Sequence, residues 1–330
     1  MKRILPLILT AACLSSTVYA QPIFLDVSAA TTQSTGSLGL TPGFGGDADT
    51  FTSVFGQLAL FAQTTTTQYD TNLGGVPGLN IGDRFLDFGH AVVTDLLPPL
   101  GDDEAIGFLS EITVAWTGLS GVTTSDLVPA GALGEMTQNF AYDPMNTTFS
   151  FYFHGDAAGP AGGPNSNFGT NIGAFDNTGM ADGQKIMEIK ITGGHGNNTF
   201  DSGLNFLTGS SVLFGEITYA LQDFWWFDNG NFLPGTPGDM DFADLLGMVV
   251  PITLKTSIDQ NTDAVELDAS IAGVPGPAGF GNALFNVNSS HDGSIDFKVT
   301  VPEPGTLLLL GLGLVAFPGL RRKLLAKKSV

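Results

Sequence analysis

The sequence predicts an all-β protein, with an antiparallel β-sandwich or jelly-roll-like body between two terminal signal segments. Apolar and polar residues alternate with a period of two in several short runs, while the 3.6-residue period of a helix is hard to find. Clusters of Gly, Pro, Asn and Asp separate these runs, as at residues 159–167 and 229–238. Such clusters favour turns, and many short strands joined by turns are typical of antiparallel sandwiches and jelly rolls.

The clearest strand pattern lies at residues 294–300, where Ser, Ile, Asp, Phe, Lys, Val and Thr alternate without interruption. Successive side chains of a strand point to opposite faces, so this pattern predicts a strand with one buried face. Similar patterns occur at residues 112–116, 149–154, 187–191, 250–254 and 265–271. A short helix is expected only at residues 242–249.

The first 20 residues have the layout of a secretory signal peptide. Lys2 and Arg3 precede an apolar stretch at residues 4–14, and small residues end the segment at Ala20. This order predicts export, with cleavage by signal peptidase after Ala20. A lipoprotein signal acylated at Cys13 is the alternative, which the short distance from Arg3 disfavours. Since Cys13 is the single cysteine, the cleaved chain would contain no disulfide and would depend on core burial or bound ions.

The end of the chain combines three features in a fixed order. They are the sequence Val301-Pro302-Glu303-Pro304, an apolar run at residues 305–320 and the basic group Arg321-Arg322-Lys323. As a helix the run would be about 24 Å long, which is short for a bilayer core of about 30 Å. The positive-inside rule places the basic tail at residues 324–330 in the cytoplasm and the body outside. We therefore expect a short transmembrane helix that holds the chain in the membrane during export.

This combination resembles the PEP-CTERM sorting signal of Gram-negative bacteria, which would here span residues 301–323. The resemblance implies recognition by a membrane-embedded exosortase and cleavage near Pro302-Glu303-Pro304. The protein would be anchored in the inner membrane before cleavage and would reach the cell surface or extracellular matrix after it. Such signals accompany exopolysaccharide production and occur on many unrelated proteins. The resemblance therefore implies a cellular location but no biochemical activity. An ordinary C-terminal anchor is the alternative.

The body, residues 21–300, is strongly acidic and long enough for one large domain or two small ones. It contains five of the 12 Lys and Arg and 31 of the 32 Asp and Glu, which gives a net charge of −26. Nucleic-acid binding requires clustered Lys and Arg, so nucleic acid is excluded as a partner. The chain also contains 25 Phe, an aromatic content that favours a folded body over a disordered one.

The sequence contains no motif of a known catalytic site. It has no His-Glu-x-x-His, no Gly-x-Ser-x-Gly and no phosphate-binding loop. The histidines share no metal-ligand spacing, and they are His90, His154, His195 and His291. We therefore predict a protein that is not an enzyme, although its many carboxylates leave a glycosidase-like pair open.

Calcium is the one ion that the acidic composition suggests. Asp259, Asn261 and Asp263 have the 1, 3, 5 oxygen spacing of an EF-hand loop. Ala264 and Ser270 stand where that loop requires Gly and Glu, so a true EF-hand is excluded. Asp in a turn usually accepts backbone hydrogen bonds without a metal. We therefore predict no cofactor, with calcium bound by Asp259, Asn261 and Asp263 as the alternative.

The run Phe224-Trp225-Trp226-Phe227 suggests a sugar-contact site. In a strand, Trp225 and Trp226 point to opposite faces, and a sandwich buries only one face of each sheet. An exposed indole beside Asp228 and Asn229 would present a flat apolar face edged by polar groups, which suits a sugar ring. Burial of both indoles in the core is the alternative, because Trp is highly buried on average.

These observations lead to one preferred function and two alternatives. The preferred function is that of an exported, exosortase-sorted surface or matrix protein, acting without catalysis in adhesion, flocculation or exopolysaccharide association. Residues 82–85, 101–104 and 111–116 also resemble PEP-CTERM proteins linked to flocculation. The alternatives are a carbohydrate-binding module, which needs an exposed Trp225 or Trp226, and a secreted polysaccharide hydrolase, which needs two carboxylates facing each other across a cleft.

Overall fold

Antiparallel strands make up most of the part of the chain that the structure describes. A computed structural model of the protein describes residues 22–33, 50–71, 80–97, 106, 110–131, 134–143, 147–155, 183–203, 206–230, 232–246, 252–254 and 266–299. In chain order the elements are β1 (Ile23–Leu25), α1 (Ser28–Gln33), β2 (Gln57–Asp70), β3 (Arg84–Leu97), β4 (Ser110–Thr123), β5 (Val128–Ala130), β6 (Glu135–Tyr142), β7 (Thr148–Gly155), β8 (Gln184–Phe200), β9 (Phe206–Ala220), β10 (Trp225–Phe227), β11 (Met240–Asp241), a 3-10 helix (Phe242–Leu245), β12 (Ile252–Leu254), β13 (Glu266–Asp268) and β14 (Asn282–Val299). The predicted all-β, antiparallel fold class is confirmed.

The large sheet has 11 strands in the described part of the chain, and its strand path returns to where it starts. Hydrogen-bonded neighbours follow the order β3-β2-β14-β12-β9-β8-β7-β4, and β4 pairs again with β3. We call these strands the ring. Beyond Thr148, the first residue of β7, strand β6 lies between β4 and β8 in its place. Strands β5 and β13 extend the sheet outside the ring. Because β3 is paired on both sides, neither β3 nor β4 is an edge strand.

Irregularities in strand pairing bend the long strands around the ring. β8 and β9 contain 17 and 15 residues, well above the usual length of about 3–10 residues. Their register shifts at three places, and further shifts occur between β2 and β3 and between β3 and β4. Each bulge increases the local twist of a strand, so these shifts supply the curvature that closure requires.

The interior of the ring changes from apolar to polar along the strands. The inward residues of β2 follow the order Leu58, Leu60, Ala62, Thr64, Thr66 and Gln68. We call the end near Leu58 the apolar end and the end near Gln68 the polar end. Phe149, Phe151 and Phe153 of β7 are buried on the same interior side as Leu58, as expected for one face of a strand.

A second sheet of three strands, β1, β10 and β11, covers the apolar end. The Trp225 ring lies 6.4 Å from the Phe151 ring, and the Phe224 ring lies 5.5 Å from the Phe153 ring. The Trp225 indole N–H also donates to the carbonyl oxygen of Ile186 over 3.1 Å. One continuous cluster of buried apolar side chains therefore includes both sheets.

Glycines on the strands make room for the aromatic rings of the interior. A Cβ atom at Gly89 would lie 2.2 Å from the Trp116 ring, and one at Gly196 would lie 2.4 Å from the Phe140 ring. Real Cβ atoms do not approach so closely, so each ring lies directly against a glycine backbone.

Most of the predicted strands are present, and some of their boundaries differ. The predicted strands at residues 112–116, 149–154, 187–191 and 294–299 lie within β4, β7, β8 and β14. The strand predicted at residues 265–271 ends at Asp268, whose carboxylate accepts the backbone N–H and the hydroxyl of Ser270 at 2.8 and 2.9 Å and so begins a turn. The helix expected at residues 242–249 is a 3-10 helix over Phe242–Leu245, and residues 247–250 lie outside the described residues.

The two terminal signals lie outside the described residues. These are the predicted signal peptide at residues 1–20, the apolar helix at residues 305–320 and the tail at residues 324–330. Within the described ranges, no helix has the length and apolar character needed to cross a membrane. Ala20–Val299 form one compact unit, and every described residue belongs to it.

Gly89→Ala is expected to lower the free energy of unfolding by about 2–3 kcal/mol, because overpacking a filled interior forces rings and backbone apart. The new methyl group would also lie 2.9 Å from the carbonyl oxygen of Gln63. Gly118→Ala is the control, since Gly118 has a left-handed φ of 73° and a Cβ atom added there would meet no atom within 4 Å; its cost should be about 1 kcal/mol. Urea unfolding of both variants measures the difference, and a smaller loss at Gly89 than at Gly118 would contradict the packing described.

Candidate functional site

The two predicted sugar-contact residues lie on opposite faces of β10, in different environments. Trp225 is 0% exposed and belongs to the core. Trp226 is half-buried; its indole N–H donates to the carbonyl oxygen of Asp223 over 2.9 Å, and its ring stacks on Phe24 with centroids 6.1 Å apart. Burial prevents Trp225 from contacting a ligand, and Trp226 therefore remains as the candidate.

Trp226 lines an open cleft of about 640 Å³ beside the small sheet. This volume lies within the range of about 300–1,000 Å³ that is usual for ligand sites. The other cleft residues that matter for its chemistry are Asp26, Phe51, Gln222, Asp223, Thr236 and Asp239. The cleft thus combines aromatic rings with carboxylate, amide and hydroxyl groups.

Two of the three carboxylates in the cleft hold its own loops in place. Asp26 accepts the backbone N–H of Ser28 at 3.0 Å and the hydroxyl of Thr50 at 2.8 Å. Asp239 accepts the backbone N–H groups of Asn229 and Thr236 at 3.0 and 2.7 Å. These are the bonds with which Asp stabilises turns, so the cleft walls are fixed before any ligand binds.

Asp241 holds in place two residues that line the cleft. Its carboxylate accepts the side-chain amide of Gln222 and the backbone N–H of Asp223, both at 2.6 Å, and the N–H of Ala243 at 2.8 Å. Burial raises the pKa of Asp241, against the lowering effect of the N–H groups of Ala243 and Asp223. The carboxylate therefore links Gln222 and Asp223 to the start of the 3-10 helix.

A separate cavity of about 120 Å³ lies inside the ring, where its interior changes from apolar to polar. Trp116 stacks on Phe149 with centroids 4.8 Å apart. Phe85, Phe140 and Tyr142 meet edge to face, with centroid distances of 5.4 and 5.5 Å. All five rings line the cavity, together with the polar side chains of Asp87 and Gln138.

Asp87 is a buried carboxylate at this cavity, only 9% exposed. It accepts the Trp116 indole N–H and the Thr66 hydroxyl, both at 2.6 Å. Desolvation raises the pKa of Asp87 to about 6, although these two hydrogen bonds act to lower it. Desolvation and the charge of Asp87 also raise the pKa of Tyr142 above its ordinary range, while a hydrogen bond with Ser211 opposes them. Sequence reasoning missed this group, because Asp87, Trp116, Thr66, Tyr142 and Ser211 come from five different strands.

The calcium alternative stays a prediction. Asp259, Asn261 and Asp263 lie outside the described residues. Among the residues that are described, no three His, Cys, Asp or Glu side chains come together in a way that could hold a metal ion. The acidic pair Asp239 and Asp241 binds backbone and amide N–H groups instead.

Comparison with protein families assigns the end of the chain. Residues 300–323 match the family model of the PEP-CTERM protein-sorting motif. The chain carries a PEP-CTERM sorting signal. The match contains all the residues predicted for sorting, which lie outside the described residues: Val301, Pro302, Glu303, Pro304, Arg321, Arg322 and Lys323. The motif marks an exported protein that an exosortase processes at the membrane. No curated protein matches the chain.

The raised pKa of Asp87 predicts a pH-dependent stability. A carboxyl group with an ordinary pKa of 3.8 and a pKa of about 6 when folded binds its proton more tightly in the folded protein. Its contribution to the free energy of unfolding is therefore fully present below the ordinary pKa and is lost as the pH rises through about 6, a loss of about 3 kcal/mol. Asp87→Asn, which preserves the shape of the side chain, should remove this dependence.

Urea unfolding of the wild type and of Asp87→Asn at pH 4, 5, 6 and 7 measures the effect. The difference between the two proteins should shift by about 2 kcal/mol in favour of the variant between pH 4 and pH 7, since part of the loss has already occurred at pH 4. Thr66→Val is the comparison variant that keeps the carboxyl group. It removes one donor to Asp87, so the pKa of Asp87 should rise further and the pH dependence should remain. A difference between wild type and Asp87→Asn that does not change with pH would refute the assignment.

Proposed function

We propose that the protein acts without catalysis at the cell surface or in the extracellular matrix of a Gram-negative bacterium, where it associates with exopolysaccharide in adhesion or flocculation. The sorting motif supplies the route to that location. The observation that carries the proposal is the half-buried Trp226 in an open cleft edged by Gln222 and Asp223. An indole face beside amide and carboxylate groups suits a sugar ring, which has an apolar face and a polar rim.

The charge of the body favours a neutral polysaccharide over an acidic one. Residues 21–300 have a net charge of −26, and Asp26, Asp223 and Asp239 all line the cleft. A polymer rich in carboxylates would be repelled by these groups at low ionic strength. Neutral hexose polymers are therefore the expected ligands.

The positions of the cleft carboxylates support a binding role over hydrolysis. Glycoside hydrolysis requires two carboxyl groups that flank the scissile bond and exchange protons with it. Asp26 and Asp239 instead accept hydrogen bonds from the loops that carry the cleft. The hydrolase alternative therefore gains no support from this cleft.

Processing gives the first test of the proposed route. In a strain with its exosortase, the mature protein should begin at Gln21, end near Pro302-Glu303-Pro304 and appear at the surface or in the matrix. In a strain without the exosortase, it should keep the apolar run and remain in the inner membrane. Intact-mass measurement of fractionated cells distinguishes the two forms. The same full-length C-terminus in both strains would contradict the proposal.

Trp226→Ala should weaken binding to a neutral exopolysaccharide at least tenfold, because it removes the exposed aromatic face of the cleft. Phe232→Ala is the matched control, since Phe232 is a 66% exposed aromatic residue of the nearby loop that does not line the cleft. Affinity electrophoresis in gels that contain the host polysaccharide measures both variants, with alginate as an anionic comparison. Equal losses in the two variants, or none in either, would overturn the role of Trp226.

A further inference from the structure

We propose that the cavity inside the ring binds a compact organic cation that carries an ammonium head group and, on a short chain beside it, an oxygen atom. This site is separate from the Trp226 cleft and does not depend on the function proposed for it. Three features of the cavity support the assignment: its aromatic walls, the buried carboxylate of Asp87 and the unpaired amide of Gln138. Each feature selects a different part of the ligand.

The size and the walls of the cavity select the head group. A closed apolar cavity of about 150 Å³ accommodates benzene, so a cavity of about 120 Å³ has room for a trimethylammonium head group, which is smaller than benzene. Aromatic rings attract such cations through the negative charge of their faces, and aromatic cages bind quaternary ammonium ligands in this way. The walls here contain Trp116, Phe149, Phe85, Phe140 and Tyr142.

The buried carboxylate selects the charge of the ligand. Asp87 receives two neutral donors, the Trp116 indole N–H and the Thr66 hydroxyl. The ion pairs among the described residues are those of Arg84 with Asp143 and Lys185 with Glu188, and neither of them includes Asp87. An ionised carboxylate that is buried without a cation is costly. A cationic ligand in the cavity would remove that cost, and an anionic ligand would increase it.

The amide of Gln138 selects the oxygen atom next to the head group. Gln138 is only 4% exposed and lines the cavity. Its Nε2 atom has no hydrogen-bond partner among the described residues. A buried donor without an acceptor costs about 1–3 kcal/mol, and a hydroxyl or carbonyl oxygen of a ligand would supply the acceptor. Gln138 lies in β6 with Phe140 and Tyr142 at alternate positions, so all three residues share one face of the strand.

The change from apolar to polar residues along the interior of the ring orients the ligand. The inward residues of β2 change from Leu60 and Ala62 to Thr64 and Thr66 where they border the cavity. The methyl groups of an ammonium head group suit the Trp116 and Phe149 rings, which lie at the level of Thr64. Its oxygen suits Gln138, which lies towards the polar end with Phe140 and Tyr142. The acidic body also raises the local concentration of cations and lowers that of anions.

Calorimetric titration of the protein purified from its host tests the assignment with two probes of the same shape. Choline has a trimethylammonium head group and a hydroxyl, and 3,3-dimethylbutan-1-ol is its neutral carbon analogue. Choline should bind at least tenfold more tightly than the alcohol at pH 7.5. Asp87→Asn should reduce this ratio to near one, because its amide can accept the Trp116 N–H and donate to Thr66 without a charge.

Two further variants keep the result interpretable. Gln138→Leu should weaken choline several-fold, should leave tetramethylammonium unchanged and should raise the melting temperature of the empty protein, because it removes the unpaired amide. Trp226→Ala should leave choline binding unchanged, which separates this site from the cleft. Equal affinity for choline and its neutral analogue would overturn the cationic assignment, and absence of binding by both probes to the folded wild type would overturn the site.

Discussion

The interior of this protein exists because β3 pairs with β4. Their register extends from Arg84 opposite Val122 to Val92 opposite Thr113, and it joins the two ends of a long antiparallel path. Without this pairing β3 would be an edge strand, and one face of the large sheet would be open to water. With it, the strands of the ring share an inner face that side chains must fill. Phe, Leu and Ile fill the apolar end beneath the small sheet, while the filling is incomplete where the interior changes from apolar to polar, at the cavity.

The acidic composition is partly explained by backbone hydrogen bonding. The body contains 25 Asp and only six Glu, and the short Asp side chain reaches the backbone N–H groups of nearby turns. Asp83 is 0% exposed and accepts the backbone N–H groups of both Thr71 and Asn80, and Asp239 and Asp241 act in the same way around the cleft. Asp87 differs from these residues, because its donors are side chains and its surroundings are an aromatic cavity.

Local patterns in the sequence predicted the parts of the structure that depend on local chemistry. Alternation identified β7 and β14, and the linear motif at the end of the chain identified the sorting signal. β2 was missed, because its inward residues change from Leu to Thr and a run of four Thr hides the alternation. Contacts distant in sequence were also missed: Asp87 meets Trp116 across 29 residues. Only the packing of the small sheet decides that Trp225 is fully buried and Trp226 half-buried.

Amide hydrogen exchange along β3 tests the closed ring most directly. In an antiparallel sheet the N–H groups of one strand point alternately to its two neighbours. If β3 pairs with both β2 and β4, the amides from Arg84 to Val92 should all exchange slowly, including those directed at β4. If the sheet is open, every second amide of β3 should exchange at the rate of an exposed edge. That alternating protection would contradict the closed ring and the cavity that depends on it.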